Sequence, residues 1–304
     1  MTAHQTAIGN PVGASSAGRV NRLSISVVVL TYNEEPNLEA CLASVTGWAA
    51  EVFLVDSGST DRTLEIAGRY SVEVLQHRFE SHAKQWAWAL ENLPLTTEWV
   101  LALDADQRVT PELAAEVSGL EPTSLDSIDG LYLKRRQIFR GHWIRHGGYY
   151  PKYLLKMFRR TSVFTDARDL VDHHFYVAGP TAKLQHDLIE ANQKEDDISF
   201  WIEKHNRYAK LLAAEELDRS RQATFAPLKP SWLGTPDQRA LALKRVWFRL
   251  PLYVRPLLYF FYRYFLRFGF LDGKQGAIFH FLQAFWFRLL VDINLDEMRY
   301  SIHQ

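Results

Sequence analysis

The sequence predicts an α/β fold: a Rossmann-like, mostly parallel sheet with flanking helices, followed by a C-terminal aromatic-rich helical segment. Three observations predict it. Four short apolar runs, 25–30, 52–55, 72–75 and 99–103, are rich in β-branched and aromatic residues and alternate with helix-like patterns. Such alternation means parallel strands joined by crossover helices. From Leu120 the alternation stops, and from Trp247 to Phe287 sixteen aromatic residues crowd into 41 positions.

Each element has local grounds. Residues 1–22 are small and polar, without an apolar stretch that could serve as a signal-peptide core, and read as a disordered leader. The four runs read as buried strands. Pro36 sits just inside a helix carrying Leu38, Cys41, Leu42 and Val45, and Thr60-Asp61 opens another through Leu64, Ile66 and Ala67. The stretch 82–92 puts Ala83, Trp86, Ala87 and Leu90 on one helical face. Strand-like pieces LYLKRR (131–136), YLLKMF (153–158) and TAKLQH (181–186) come next, then an amphipathic helix through Ile198, Trp201, Ile202, His205, Ala209 and Leu212. Pro227, Pro230, Gly234 and Pro236 mark a linker. The expected organisation is therefore a leader (1–22), a main domain (23–226) in two halves, 23–119 and 120–226, a linker (227–238) and a basic aromatic helical segment (239–304).

Composition excludes several classes. The 304 residues carry 35 basic and 35 acidic side chains, so no global charge draws the chain to nucleic acid. Cys41 is the single cysteine, which rules out an internal disulfide framework and suits a cytoplasmic setting. Between Arg239 and Lys274, eight Lys or Arg stand against one Asp. No uncharged run approaches the roughly 18–20 residues that span a bilayer. The basic aromatic segment therefore reads as membrane-associated, lying in the headgroup region of the inner face of the cytoplasmic membrane; the alternative is a helical cap packed on the main domain.

The chemistry should sit beyond the carboxyl ends of the parallel strands. Three of those ends carry polar loops: Thr31-Tyr32-Asn33-Glu34-Glu35, Asp56-Ser57-Gly58-Ser59-Thr60-Asp61 and Asp104-Ala105-Asp106. Each alone could be ordinary turn and capping chemistry; together they collect acids at one edge of one sheet. Residues two apart at a strand end point to the same side, so Asp104 and Asp106 can address one ion. Carboxylates without thiolates select a hard cation, Mg²⁺ or Mn²⁺, which suggests a diphosphate-bearing donor. No GxGxxG follows the first strand and no GxxxxGK[ST] occurs, which disfavours redox dinucleotide enzymes and P-loop ATPases.

ISVVVLTYNEE (25–35), FLVDSGSTDRT (53–63), AKQWAWAL (83–90), LALDADQRV (101–109), LVDHHFYVAG (170–179) and WIEKHNRYAK (201–210) resemble the family 2 glycosyltransferases of GT-A fold, in the bacterial branch that builds exopolysaccharide, O-antigen and lipopolysaccharide-core sugars. The resemblance spans about residues 24–218. It implies an inverting, metal-assisted transfer from a nucleotide-sugar donor, UDP-sugar favoured, to a hydroxyl of a lipid-linked or cell-surface glycan acceptor. By the same resemblance Thr31, Asn33 and Glu35 border the nucleotide, Asp56 bonds the base, Lys84 and Gln85 line the donor pocket with Lys84 offsetting diphosphate charge, and Asp104 and Asp106 are the DxD. His186 stands where relatives carry a histidine near the diphosphate and metal. The related branch shows Val-Asp-Glu-His where this chain has Val171-Asp172-His173-His174. The catalytic base is then Asp172 or His173, or the chain is an inactive membrane-bound binding protein. A polyprenyl-phosphate glycosyltransferase on the same scaffold is the other alternative. Arg135, Arg136, Arg140 and Arg145 read as a solvated face or as contacts for an anionic lipid-diphosphate acceptor.

Overall fold

The computed structural model describes residues 23–166, 168–171, 173–222 and 228–302. The leader expected at 1–22, the start of the expected linker and the candidate base Asp172 lie outside the described residues. In chain order the elements are β1 (Ile25–Thr31), α1 (Leu38–Ala43), β2 (Glu51–Asp56), α2 (Thr63–Ala67), β3 (Glu73–Gln76), α3 (His82–Asn92), β4 (Trp99–Asp104), β5 (Gln107–Val109), α4 (Pro111–Ser118), β6 (Gly130–Phe139), β7 (His142–Ile144), β8 (Lys152–Arg159), β9 (Val163–Thr165), β10 (Phe175–Val177) and β11 (Thr181–Glu190). Helices α5 (Ile198–Gln222), α6 (Pro236–Trp247), α7 (Val254–Phe261), α8 (Gly273–His280) and α9 (Phe287–Ile302) complete the chain.

Among the described residues, nine strands form one sheet in the order β3-β2-β1-β4-β8-β6-β11-β5, with β7 hydrogen-bonded to β6. The expected alternation builds its parallel half, in which β1 pairs in parallel with both β2 and β4 and β2 with β3. Strand β8 then enters antiparallel between β4 and β6, so the whole sheet is mixed. This insertion brings the strands that follow residue 130 alongside β4. Every residue of β1 is buried, because both sheet faces are covered: Leu38, Leu42 and Ile66 pack on one face, Trp86, Ala89 and Phe175 on the other. Apolar runs without alternation are the signature of that double coverage.

Three expectations need correction. The run at 72–75 is not a buried strand: β3 closes the sheet at its edge, and three of its four residues are exposed. On α3, Ala83, Trp86 and Ala89 point inward while Ala87 is exposed. In addition, Pro236 opens α6 instead of ending a linker. Thr235 and Gln238 close a reciprocal capping box there, and proline suits a first helical turn where no intrahelical N–H bond is lost.

The aromatic segment is joined to the rest by a core of its own. Phe287, Val291 and Leu295 of α9 fill the space left by Ala209 and Ala213 of α5. Phe279 of α8 packs with Phe139, Ile144, Tyr149 and Trp201. Beside the α5–α9 contact lies a buried ion cluster: Arg255 Nε donates to Asp292 Oδ1 at 2.6 Å and its Nη2 to Glu216 Oε2 at 2.9 Å. Truncating one member of such a group strands the others without water. Arg255→Met is therefore expected to cost about 3–5 kcal/mol of stability, read from urea denaturation, with much of the loss recovered when Glu216→Gln and Asp292→Asn are added.

The 33-residue helical stretch Gly269–Ser301 is long and apolar enough to cross a membrane by length and composition. Counting only uncharged runs in the sequence misses it, because Arg288 and Asp292 fall inside it. Asp292 is fully buried against Arg255, and α9 lies on α5, so this stretch already has a protein partner along one face. Ahead of it and at its start, α7 and the turns that follow present an apolar surface: Leu257, Leu258, Phe261, Phe265, Leu266 and Leu271 are all exposed.

Candidate active site

The loops after β1 and β2 are locked together. Asn33, at φ 51°, adopts the left-handed conformation that asparagine tolerates better than most residues. Its N–H donates to Ser59 Oγ at 2.9 Å, and its Oδ1 accepts from Thr60 N at 2.8 Å. Glu34 N donates to Thr63 Oγ1 at 2.8 Å and Glu35 N to Asp61 Oδ2 at 3.1 Å. Asp56 is fully buried and accepts from Gly58 N and Ser59 N, both at 2.9 Å, and from Ser59 Oγ at 2.5 Å. Its carboxylate thus builds its own loop and keeps an acceptor position on Oδ1. At the end of β1, directly opposite Asp56, the buried hydroxyl of Thr31 has no hydrogen-bond partner among the described residues. A buried hydroxyl of that kind calls for a ligand or water atom.

Asp104 ends β4 and Asp106 lies in the turn that follows, so strand alternation no longer governs the pair. They look onto different groups. Asp104 Oδ2 accepts from Lys156 Nζ at 2.9 Å, and the same ammonium lies 3.4 Å from His173 Nε2. Burial works against ionisation of Asp104, but Lys156, His173 and His82 outweigh it and hold the carboxyl below its ordinary range. Asp106 has the opposite electrostatic setting. Burial first, then Glu190, Asp104 and Glu34, push its carboxyl well above the usual range, with Lys204 the opposing charge. Repulsion among buried carboxylates of this kind is what a divalent cation relieves, and an all-oxygen donor set fits Mg²⁺ or Mn²⁺.

His82, Asp104 and His173 bring one ligand atom each within 4.8 Å of one another, a grouping that could hold a metal. The Lys156 ammonium already supplies a cation to two of the three. Burial and the Lys156 charge pull the His173 imidazole down to about 3, against the pull of Asp104.

Several expected residues stand elsewhere. Lys84 is on the outer face of α3, paired with Glu80 at 2.5 Å, both more than half exposed. His186 Nδ1 bonds Glu116 Oε2 of α4 at 2.8 Å, on a different face from the aspartates. Glu35 is engaged with Arg62 at 3.5 Å. Gln85 is buried and ties His77 (2.8 Å) to Ser57 Oγ (3.2 Å), steadying the second loop from below. Arg135 and Arg136 pair with Glu190 and Asp187, and Arg136 and Arg145 both lie within 5 Å of the Trp143 ring. Lys156, His82 and Glu190 were not expected here. Lys156 alone had a sequence signal, a charge inside the apolar run YLLKMF.

The segment between β9 and β10 carries His173. Its first half is pinned to α5 by buried Arg219, which donates to Asp166 (3.1 Å), Asp169 (2.6 Å) and Glu215 (3.0 Å). Leu170 N donates to Glu215 Oε2 at 3.2 Å, and His174 Nδ1 lies 3.2 Å from Asp169 Oδ2. Through α5 the segment is linked in turn to α9 and the aromatic tail.

A family model described as Glycosyl transferase family 2 matches residues 26–175. The lipopolysaccharide core biosynthesis glycosyltransferase LpsC of Rhizobium meliloti (strain 1021) is 26% identical over 282 residues, 87% of this chain and 92% of LpsC. An uncharacterized glycosyltransferase of Rickettsia bellii (strain RML369-C) is 34% identical over 93 residues, covering 31% of each chain. Among solved structures, S. aureus TarS 1–349 in complex with UDP aligns with 93% of this chain and 92% of its own at 17% identity and a TM-score of 0.42.

Proposed function

Residues 26–175 are a glycosyltransferase family 2 domain, and on that premise we propose that the protein moves a sugar, with inversion, from a nucleoside diphosphate sugar to a hydroxyl of a lipid-linked or cell-surface glycan. A UDP-sugar is the favoured donor. One observation carries this reading: Asp104 ends β4 and Asp106 lies in the turn that follows, at the carboxyl edge of the parallel strands where the loops after β1 and β2 interlock. A hard divalent cation, Mg²⁺ or Mn²⁺, held there by Asp106 with Asp104 beside it would neutralise charge arising on the diphosphate.

The chain's own groups supply the rest. Thr31 Oγ1 offers a hydrogen bond to the nucleotide, and the paired loops set the floor beneath it. A base removes the proton of the acceptor hydroxyl as its oxygen attacks the anomeric carbon. The bond to the diphosphate breaks on the opposite face, and its electron pair leaves with the nucleotide. Asp172 is the favoured base. A lysine ammonium has no lone pair, so in its contact with Lys156 the His173 Nε2 must accept, and its own lone pair is occupied. An imidazole held near 3 is moreover a poor match to proton abstraction at neutral pH.

Asp172→Asn is expected to keep nucleotide binding and lower transfer by about 10²–10⁴-fold, measured by steady-state transfer beside calorimetric UDP titration. Loss in His173→Ala without loss in Asp172→Asn reassigns the base. Indifference to both points to an acceptor that is already ionised, a polyprenyl phosphate. The partner surface proposed is the cytoplasmic membrane, met by the exposed apolar residues of α7 and the turns after it, with Arg267 and Lys274 exposed beside them.

A further inference from the structure

A lysine buried in an apolar strand needs a reason. Lys156 is 5% exposed, between Leu155 and Met157 of β8, with Trp86, Phe158 and Phe175 in the adjoining core. Burying an ammonium is costly unless it is paired and hydrogen-bonded. Asp104 supplies the counter-charge at 2.9 Å and His173 Nε2 an acceptor at 3.4 Å. An ammonium has three N–H donors; the third has no partner among the described residues. Nearby cations are already committed: Lys194 to Glu34 and Lys204 to Glu195, both at 2.6 Å, and Lys84 to Glu80 on the outer face.

We propose that Lys156 is the fixed positive charge of the donor pocket, and that its remaining N–H meets a β-phosphate oxygen of the bound nucleoside diphosphate sugar. The inference rests on the reading that the diphosphate lies at Asp104 and Asp106. Lys156 stands on the reacting side of that pair, because it also touches His173, the chain neighbour of the favoured base. The scissile bond ends on the β-phosphate. As the anomeric C–O bond breaks, its electron pair passes to that phosphate oxygen, and the ammonium strengthens its hydrogen bond without giving up a proton. A charge held in place by Asp104 and His173 has no reorganisation to undergo at that moment.

The test compares UDP with UMP, both titrated calorimetrically into the full-length protein at fixed Mn²⁺. Lys156→Met is expected to weaken UDP at least tenfold and leave UMP within about twofold, and to lower the turnover number about a hundredfold. Lys156→Arg, which keeps the charge, is expected to recover most of the UDP affinity. Unchanged UMP binding in Lys156→Met also shows that the variant is folded. Equal loss of UDP and UMP, or no loss of either, overturns the assignment while wild-type UDP binding still stands. Should Lys156→Met fail to fold, the same UDP-to-UMP ratio in Lys156→Gln decides, a ratio equal to wild type overturning the assignment. Wild-type protein that binds neither nucleotide brings down the donor-site reading and this assignment with it.

Discussion

Asp106→Asn is expected to reduce sugar transfer by at least about two to three orders of magnitude and to abolish Mn²⁺-dependent binding of UDP, while raising the thermal midpoint of the metal-free protein. The opposed signs identify the role. At neutral pH an ionised Asp106 is repelled by Glu190, Asp104 and Glu34 in a buried setting, and burial itself disfavours the charge. Removing that charge relieves the folded state, because a carboxyl raised above its ordinary range destabilises the fold once it is ionised. Strain of this type persists where function uses it. Asp104→Asn is expected to behave differently: Lys156 neutralises Asp104, so its loss leaves a buried ammonium unpaired and lowers the midpoint. Parallel melting curves with EDTA and with Mn²⁺ plus UDP read both signs. A metal-free midpoint that falls in Asp106→Asn would remove the acid cluster as the cation site.

How much of this was legible depended on whether the deciding contact was local. The buried strands were, because unbroken apolar runs between helix patterns have few alternatives. The edge position of β3 was not, since Val74 and Leu75 look like core residues until the neighbouring strand is known. The DxD was legible as a pair, but its divided outlook comes from the turn at 105–106 and from β8 arriving antiparallel beside β4, a pairing between residues more than fifty apart. Resemblance put Lys84 in the donor pocket. The Glu80–Lys84 spacing was a local signal against it, as an i,i+4 ion pair marks an exposed helix face. His186 similarly gave no sign of its bond to Glu116, seventy residues earlier. The basic, aromatic character of the tail announced an outward apolar surface, yet the side that packs on α5 depends on small residues, Ala209 and Ala213, far upstream.

Those packing contacts decide how membrane attachment should be tested. Deleting residues 239–304 would strip Phe279, Phe287, Val291 and Leu295 from the core and leave Glu216 without Arg255. At about 1.5–3 kcal/mol for each large buried side chain, the loss is on the order of 10 kcal/mol, comparable to the whole stability of a domain. The truncated chain is thus expected to aggregate, and its distribution between fractions would report misfolding. Leu257→Asn, Phe261→Asn, Leu266→Asn and Leu271→Asn together avoid this, because all four side chains are more than half exposed. Exposed substitutions of this kind usually alter stability by less than about 0.5 kcal/mol each. If the four side chains enter the headgroup region, covering their exposed parts is worth about 3–6 kcal/mol by the same burial scale, so vesicle binding should fall by at least about two orders of magnitude. The basic residues make a separate, screened contribution, so wild-type binding to anionic vesicles is expected to weaken with salt, and binding to neutral ones to weaken less. Flotation with both vesicle types, beside transfer to a soluble acceptor as a control for the fold, reads the two contributions apart. A quadruple variant that floats like wild type would mean that the exposed face meets something other than lipid.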